Sequence, residues 1–364
     1  MPVQNYENLD TNTDVTTTRT LLHEVIPMTG TIYNYDTGAY SERNIKNYTH
    51  GMFQTVYDYP YLSSSANHVF DITMGYDETS ALSSSAATQN TKKINNYNQM
   101  SQVLLGYEDG TAAEVRMFEK DLLLDKTGSM DACFFLNFSR LLVKDQIKKG
   151  SFNITLGSGS NYQFPFGSTI VLKDCSASAT KGTTNTVGGD YGVLWGETVP
   201  GSTNFDQSYG ILFYQAGVAV LGTSSFAPSV VFRIKDNENL YDPDATDILS
   251  TKISATMTGS SISGACDALR HRIQNISFNN TTEINSKIYF CRVPHNKYNY
   301  SSNPTYTSNS KIRVKEVASD TPRAYITTVG LYNASNELLA TAKLSEPLMK
   351  DPSGEIILRV RLDY

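Results

Sequence analysis

The chain has 364 residues, 40% hydrophobic and only 18% charged, and its 30 basic and 36 acidic residues leave a formal charge of -6. Lys and Arg are dispersed rather than massed, which argues against a nucleic-acid groove or an anionic membrane surface as partner. Every apolar run is far shorter than a membrane span, and the opening MPVQNYENLDTNTDV has neither a basic nor an apolar leader, so the expectation is a protein made in a cytoplasm.

The remaining composition is Ser, Thr, Asn, Gly and 23 tyrosines. That mixture suits strands, turns and polar contact surfaces better than long surface helices. The fold class read from it is mainly β (α+β), with antiparallel sheets, two packed amphipathic helices and a Gly/Ser/Thr-rich insertion. Residues 1–62 read as an N-terminal arm with short strands, such as Thr31-Ile32-Tyr33 and Thr55-Val56-Tyr57. Residues 63–156 together with 209–364 read as the β-rich core, and 157–208 as a loop-rich insertion.

Along the core, His68–Tyr76 (HVFDITMGY) reads as a strand. In KKINNYNQMSQVLLG, Ile94, Tyr97, Leu104 and Leu105 share one side at helical spacing, which predicts a helix over 93–105 with Gly106 as C-cap. Residues 132–143 are dense in strand formers, and a polar connection, KDQIKKG, leads from them to a second strand at 151–156. Within the insertion the apolar runs are Ile170-Val171-Leu172 and Val193-Leu194-Trp195. In GILFYQAGVAVL, Gln215-Ala216-Gly217 predicts a hairpin turn. The spacing of Ile262, Ala265, Leu269, Ile273 and Ile276 predicts a second helix over 261–273 with a Ser cap. Residues 287–293 and 311–316 read as strands. The last 40 residues read as a three-stranded meander, turning at Asn333-Ala334-Ser335-Asn336 and again near Pro347, Pro352 and Gly354. A final strand patterned as tightly as EIILRVRLDY, ending on Tyr364, is expected to be buried in the fold or in an interface, so that a C-terminal tag impairs assembly.

The search for chemistry returns little. No GxxxxGK[ST], HExxH, CxxC or nucleophile elbow occurs, and the glycines at 157 and 159 lack the context of a dinucleotide site. His68 and Asp71, three apart in a strand, are expected on opposite faces and unable to hold a ligand jointly. His271, between Arg270 and Arg272, reads as part of a solvated or interface polar face. Cys133, Cys175, Cys266 and Cys291 are too scattered for a zinc site and read as free thiols. The acidic loop 236–247 offers oxygen ligands but lacks a calcium-loop pattern and reads as a solvated loop. The tyrosines are not repeated and Trp195 stands alone, which favours protein contacts over a glycan platform. Sequons at Asn47, Asn275 and Asn279 carry no meaning in a cytoplasmic product. The reading is therefore a non-enzyme with no catalytic, cofactor-binding or metal-binding residues and no cofactor.

Two runs are distinctive. FNNTTEINSKIYFCRVPHNKYNYSSNPTY (278–306) and YITTVGLYNASNELLATAKLSEPLMKDPSGEIILRVRLDY (325–364), together with FFLNFSRLLVKDQIKKGSFNITL and ILFYQAGVAVL, resemble virion structural proteins of marine and cyanobacterial phages with contractile tails, similar to the baseplate wedge family. The resemblance covers roughly residues 68–156 and 209–364. It implies a structural subunit of the virion tail baseplate, assembled in the host cytoplasm with other baseplate and tail proteins and compatible with a homodimer. A receptor- or glycan-binding tail module, or a virion protein of the neck or tail, stands as the alternative. In the shared run, Asn303-Pro304 predicts a side-chain-stabilised turn with Asn303 outside the α region. Tyr298, Tyr300 and Tyr306, with Tyr364, are the candidate loop anchors or assembly contacts.

Overall fold

The computed structural model describes residues 6–27, 45–59, 62–108, 114–160, 165–175, 183–197, 207–227, 230, 232–234, 249–301, 303–309, 311–313, 315, 317 and 319–364. The chain is mostly β and divides into two units, residues 22–282 and residues 1–21 with 283–364. This division cuts across the expected arm and core. Thr31-Ile32-Tyr33 and the acidic loop 236–247 lie outside the described residues.

The 22–282 unit is built on one antiparallel sheet. In spatial order its strands are Ile45–Asn47, Gln54–Tyr57, His68–Tyr76, Ala132–Phe138, Val218–Gly222, Gln207–Phe213, Gly189–Glu197, Thr169–Asp174, Asn153–Gly157 and the first half of Ile273–Val293. The central strand, ACFFLNF, is apolar on both faces because both faces are covered. Ala132, Phe134, Leu136 and Phe138 enter one core and Cys133 and Phe135 the other. The helix Asn90–Leu104 supplies Tyr97 and Leu104 to the second core, and the helix Ile262–Arg270 supplies Ile262, Ala265 and Leu269 to the first. Burying side chains of this size contributes roughly 1.5–3 kcal/mol each.

The sheet rolls up. Phe138 meets Phe152 at 5.7 Å and Phe278 at 5.3 Å between ring centroids, although four strands separate Ala132–Phe138 from Asn153–Gly157 in the order above. Closure runs through the KDQIKKG connection, where Gln146–Ile147 pairs with Asn280 and Thr281. Ala132–Phe138 is followed by a single helical turn, Arg140–Val143, so the expected strand over 132–143 stops at Phe138.

Several expectations hold in detail. Leu105 closes the first helix with its N–H on the Ser101 carbonyl at 2.7 Å, and Gly106 follows at φ +83. Gly217 turns the 207–222 hairpin at φ +69. The Ser261 hydroxyl caps the second helix by accepting from the Gly264 N–H. Others are corrected. The second helix ends at Arg270, and Ile273 and Ile276 belong to a 21-residue strand. A register shift between Ile273 and Asn275 turns both isoleucines inward, so their spacing of three imitates a helix. Residues 157–208 are not an excursion from the core, because Thr169–Asp174 and Gly189–Glu197 lie inside the sheet.

In the other unit, Ser286 to Val293 pairs with Ile356–Asp363. The expected C-terminal meander is therefore a hairpin, Ala324–Tyr332 with Leu338–Lys350, followed by a strand that joins a distant partner. Alternation foretells which side chains face inward, here Leu358 and Val360, but not which strand lies alongside. Tyr364 exchanges two backbone hydrogen bonds with Asn285, yet the residue is 66% exposed, so the C-terminal strand is not buried at its end within this chain. Of the expected strand 311–316 only Lys311–Ile312 is paired among the described residues. The expected arm holds a 13-residue strand, Val15–Pro27, exposed along most of its length.

Candidate functional site

The tyrosine loop that follows Val293 is fastened by its own polar groups. Asn303 takes extended angles, as a residue before proline must, and its Oδ1 accepts from the Thr305 N–H at 3.0 Å and the Thr305 hydroxyl at 2.9 Å. Ser301 Oγ accepts from the Asn303 N–H at 3.2 Å. Pro304 opens the short 3-10 turn Pro304–Tyr306, where its missing N–H costs nothing. Tyr306 is buried, stands edge-on to Tyr300 at 5.3 Å and donates its hydroxyl to the Arg323 carbonyl. Tyr306 is thus an intrachain anchor. Tyr300 is exposed, and Tyr298 is held at φ +59, a region that bulky side chains rarely occupy.

Beside this loop sits a cation that the sequence did not single out. Lys350 is buried, and its Nζ donates to His295 O at 3.2 Å, Asn299 Oδ1 at 2.8 Å and Asp351 O at 2.6 Å. All three ammonium donors are satisfied, which binds the end of the hairpin to the loop. Lys350→Met is expected to lower the unfolding free energy of this unit by about 2 kcal/mol, since three part-buried hydrogen bonds, each made by a charged donor, are lost together. Urea unfolding followed by tyrosine fluorescence measures it, and an unchanged midpoint would show that the loop stands without the tie.

From that base the hairpin projects. Of Ala324–Tyr332 and Leu338–Lys350 only Ala324 and Lys350, at the foot, are buried. The nine residues of Ala324–Tyr332, at ~3.4 Å each, make a ribbon on the order of 30 Å long. Its tip is secured by Asn333, whose Oδ1 accepts from the Ser335 and Glu337 N–H groups, with Asn336 at φ +62. Tyr325, Tyr332, Leu338, Leu339 and Met349 are exposed along it. A two-stranded ribbon without cover is marginally stable in water, and contiguous exposed apolar side chains mark contact sites.

The unit that carries the ribbon has a thin core. Among the described residues its buried apolar side chains are Ile288, Val293, Tyr306, Ala324, Leu358 and Val360, each retaining 5–9% exposure, whereas the other unit holds dozens at or near zero.

Elsewhere the titratable side chains singled out in the sequence are held in local hydrogen bonds and ion pairs. His68 Nε2 lies 3.1 Å from Asp71 Oδ1, against the expectation of opposite faces. Val56 pairs with Phe70 and Tyr57 with His68, so Val69 is an extra residue that reverses the alternation. Hydrogen bonding to Asp71 raises the His68 pKa. The nearby hydroxyl, Thr55 Oγ1, donates to Asp71 at 2.7 Å, which is not the order of a nucleophile activated by a base. Arg270, His271 and Arg272 are buried rather than solvated. Arg270 pairs with Asp267 at 2.7 Å, and Arg272 donates to the carbonyls of Gly157 and Gly159 at 3.2 and 2.6 Å, fastening the turn where the helix becomes a strand.

Glu119, Asp121 and Asp125 bring carboxylates within 4.8 Å of one another. Glu119 accepts from the Asp125 and Lys126 N–H groups, Asp121 from Leu123 and Asp125 from Thr127, the pattern of a stapled loop. A shallow depression of about 390 Å³ is lined by His50, Met52, Phe53, Thr73, Asn96 and Met100. Its central polar group, the Asn96 amide, is already committed to Thr73 Oγ1 at 2.8 Å. Cys133 and Cys266 are buried, and burial pushes both thiols up. Cys175 and Cys291 are half-buried. Tyr191 is buried and Trp195, half-buried, packs on the second core. No helix among the described residues is long and apolar enough to cross a membrane.

No protein-family model, curated protein or solved structure matches the chain.

Proposed function

We propose that this chain is a structural subunit of a contractile phage tail, a baseplate wedge component that acts through protein–protein contacts and catalyses nothing. The observation that carries the reading is the ribbon on the thin 1–21/283–364 unit, exposed along most of its length. More than half of the exposed large apolar side chains among the described residues lie in that unit, although it is much the smaller. Such a surface is stable when neighbours complete it. The resemblance of the 278–306 and 325–364 runs to wedge-family proteins supplies the setting, and the ribbon falls within the second run. A glycan-binding role draws no support from Tyr191 and Trp195, which are turned toward the core.

Immunogold microscopy of purified particles, extended and contracted, tests the reading. Gold at the plate of the tail tip is the expected result. Label on fibres would transfer the role to receptor binding, and label on the head, or none on mature particles, would overturn it.

A further inference from the structure

The two edges of the ribbon differ. Leu338–Lys350 is guarded, since it carries Lys343, Glu346 and Pro347, and its pairing jumps from Leu348 to Lys343 while the other strand advances only from Ile326 to Thr328. Charges, prolines and irregularities of this kind keep an edge from recruiting another strand. Ala324–Tyr332, AYITTVGLY, contributes only Thr327 to that irregularity, against four residues of its partner. It carries no charge and no proline, and it has four β-branched residues in succession, Ile326 to Val329. Among the described residues it pairs with no strand other than Leu338–Lys350, and none of its backbone groups bonds elsewhere. Among the described residues one long side is therefore an open row of N–H and C=O groups, with Tyr325 exposed near its foot and Tyr332, whose ring meets Tyr6 at 5.1 Å between centroids, at its far end.

We propose that this edge pairs with the same edge of a second copy of the chain, antiparallel and across a twofold axis near Thr328. Symmetry is what selects the occupant. A twofold axis sets like beside like, so a charged edge repels its own copy, and natural edges are charged for that reason. An edge free of charge over all nine residues escapes this penalty. Pairing about Thr328 sets Thr328 opposite Thr328 and Thr327 opposite Val329, both favourable cross-strand combinations without like charges. The result is a four-stranded sheet whose two outer edges are the guarded ones.

The pairing rests on the reading of the ribbon as a contact element. Sedimentation velocity of the purified full chain over a wide concentration range tests it, with Thr328→Lys, Thr328→Glu and their equimolar mixture as comparisons. The expected result is a concentration-dependent species of twice 40.2 kDa for the natural sequence. Each charged variant alone should associate at least about tenfold more weakly, and the mixture should recover association as opposite charges meet. Because Thr328 is exposed, circular dichroism and thermal midpoints of the variants should match the parent. A natural sequence that stays monomeric throughout, single variants that associate as the parent does, or a mixture no better than its components would each overturn the pairing. A monomer whose antibody still labels the tail tip would remove the pairing and leave the proposed function standing. A dimer absent from the tail would do the reverse.

Discussion

A Gly75→Ala variant is expected to lose about 3 kcal/mol of stability in the 22–282 unit, at the upper end of the range for overpacking. Gly75 lies in His68–Tyr76 where the helix Asn90–Leu104 crosses the sheet. A Cβ there would stand 2.5 Å from the Lys93 carbonyl oxygen and 2.7 Å from the Tyr97 nitrogen, both backbone atoms that no rotamer change can move. The helix would have to lift as a body, and several bonds resist that. Tyr97 donates its hydroxyl to Met130 O at 2.8 Å and accepts from the Phe118 N–H at 3.1 Å, while Asn96 reaches Thr73 and Met74. Tyr97 also stands edge-on to Phe118 at 5.4 Å in the second core. Urea denaturation gives the loss directly. Gly354→Ala, with open space around its Cβ, is the neutral control. A Gly75→Ala loss below about 1 kcal/mol would mean that the helix slides without resistance.

Lys93→Met is expected to destabilise the same unit by about 2 kcal/mol at neutral pH, and by more as the solution becomes alkaline. Lys93 is fully buried, and its Nζ donates to Met257 O at 2.6 Å and Ser260 O at 2.7 Å, tying the first helix to the end of the helix Ile253–Gly259. Methionine fills the volume but leaves both carbonyls without a donor. Burial lowers the ammonium from its ordinary 10.5 to about 8. Between those values the unfolded chain keeps a proton that the folded chain has released. Unfolding then takes up a proton, so this residue's contribution to stability grows as pH rises through the window and is lost as pH falls through 8. Burial acts in the opposite direction on Tyr97 and Cys133, whose raised pKa values mean that only the unfolded chain ionises at still higher pH. The comparison therefore belongs between pH 7 and 9, with chemical denaturation at each value. A deficit that widens with pH is expected, and one that stays constant would show that Lys93 does not change its charge in this range.

Much of the fold is legible in the residues because local rules act over a few positions. The Ser261 cap, the Asn303-Pro304 turn, the Gly217 hairpin and the apolar side of the first helix each follow from chemistry within one turn or one strand. The candidate site was half legible. Its tyrosine loop was marked by Asn303 and Pro304, whereas Lys350 looked like any surface lysine until the loop carbonyls closed around it. The projecting ribbon was mistaken for part of a meander, because its alternation says which side chains share a face and nothing about how far the ribbon is exposed.

Composition and periodicity by themselves determined a β-rich chain, two helices, the positions of most strands and the lack of any nucleotide or metal motif. Tertiary structure decided strand partners and parity. One extra residue at Val69 placed His68 beside Asp71, and a register shift after Ile273 turned a helical spacing into a strand. A β-bulge changes which face every later side chain occupies and leaves no mark on composition. The strand Ile356–Asp363 found its partner some seventy residues away rather than in the adjacent hairpin, since pairing is chosen by the burial of a whole face, to which distant residues contribute equally.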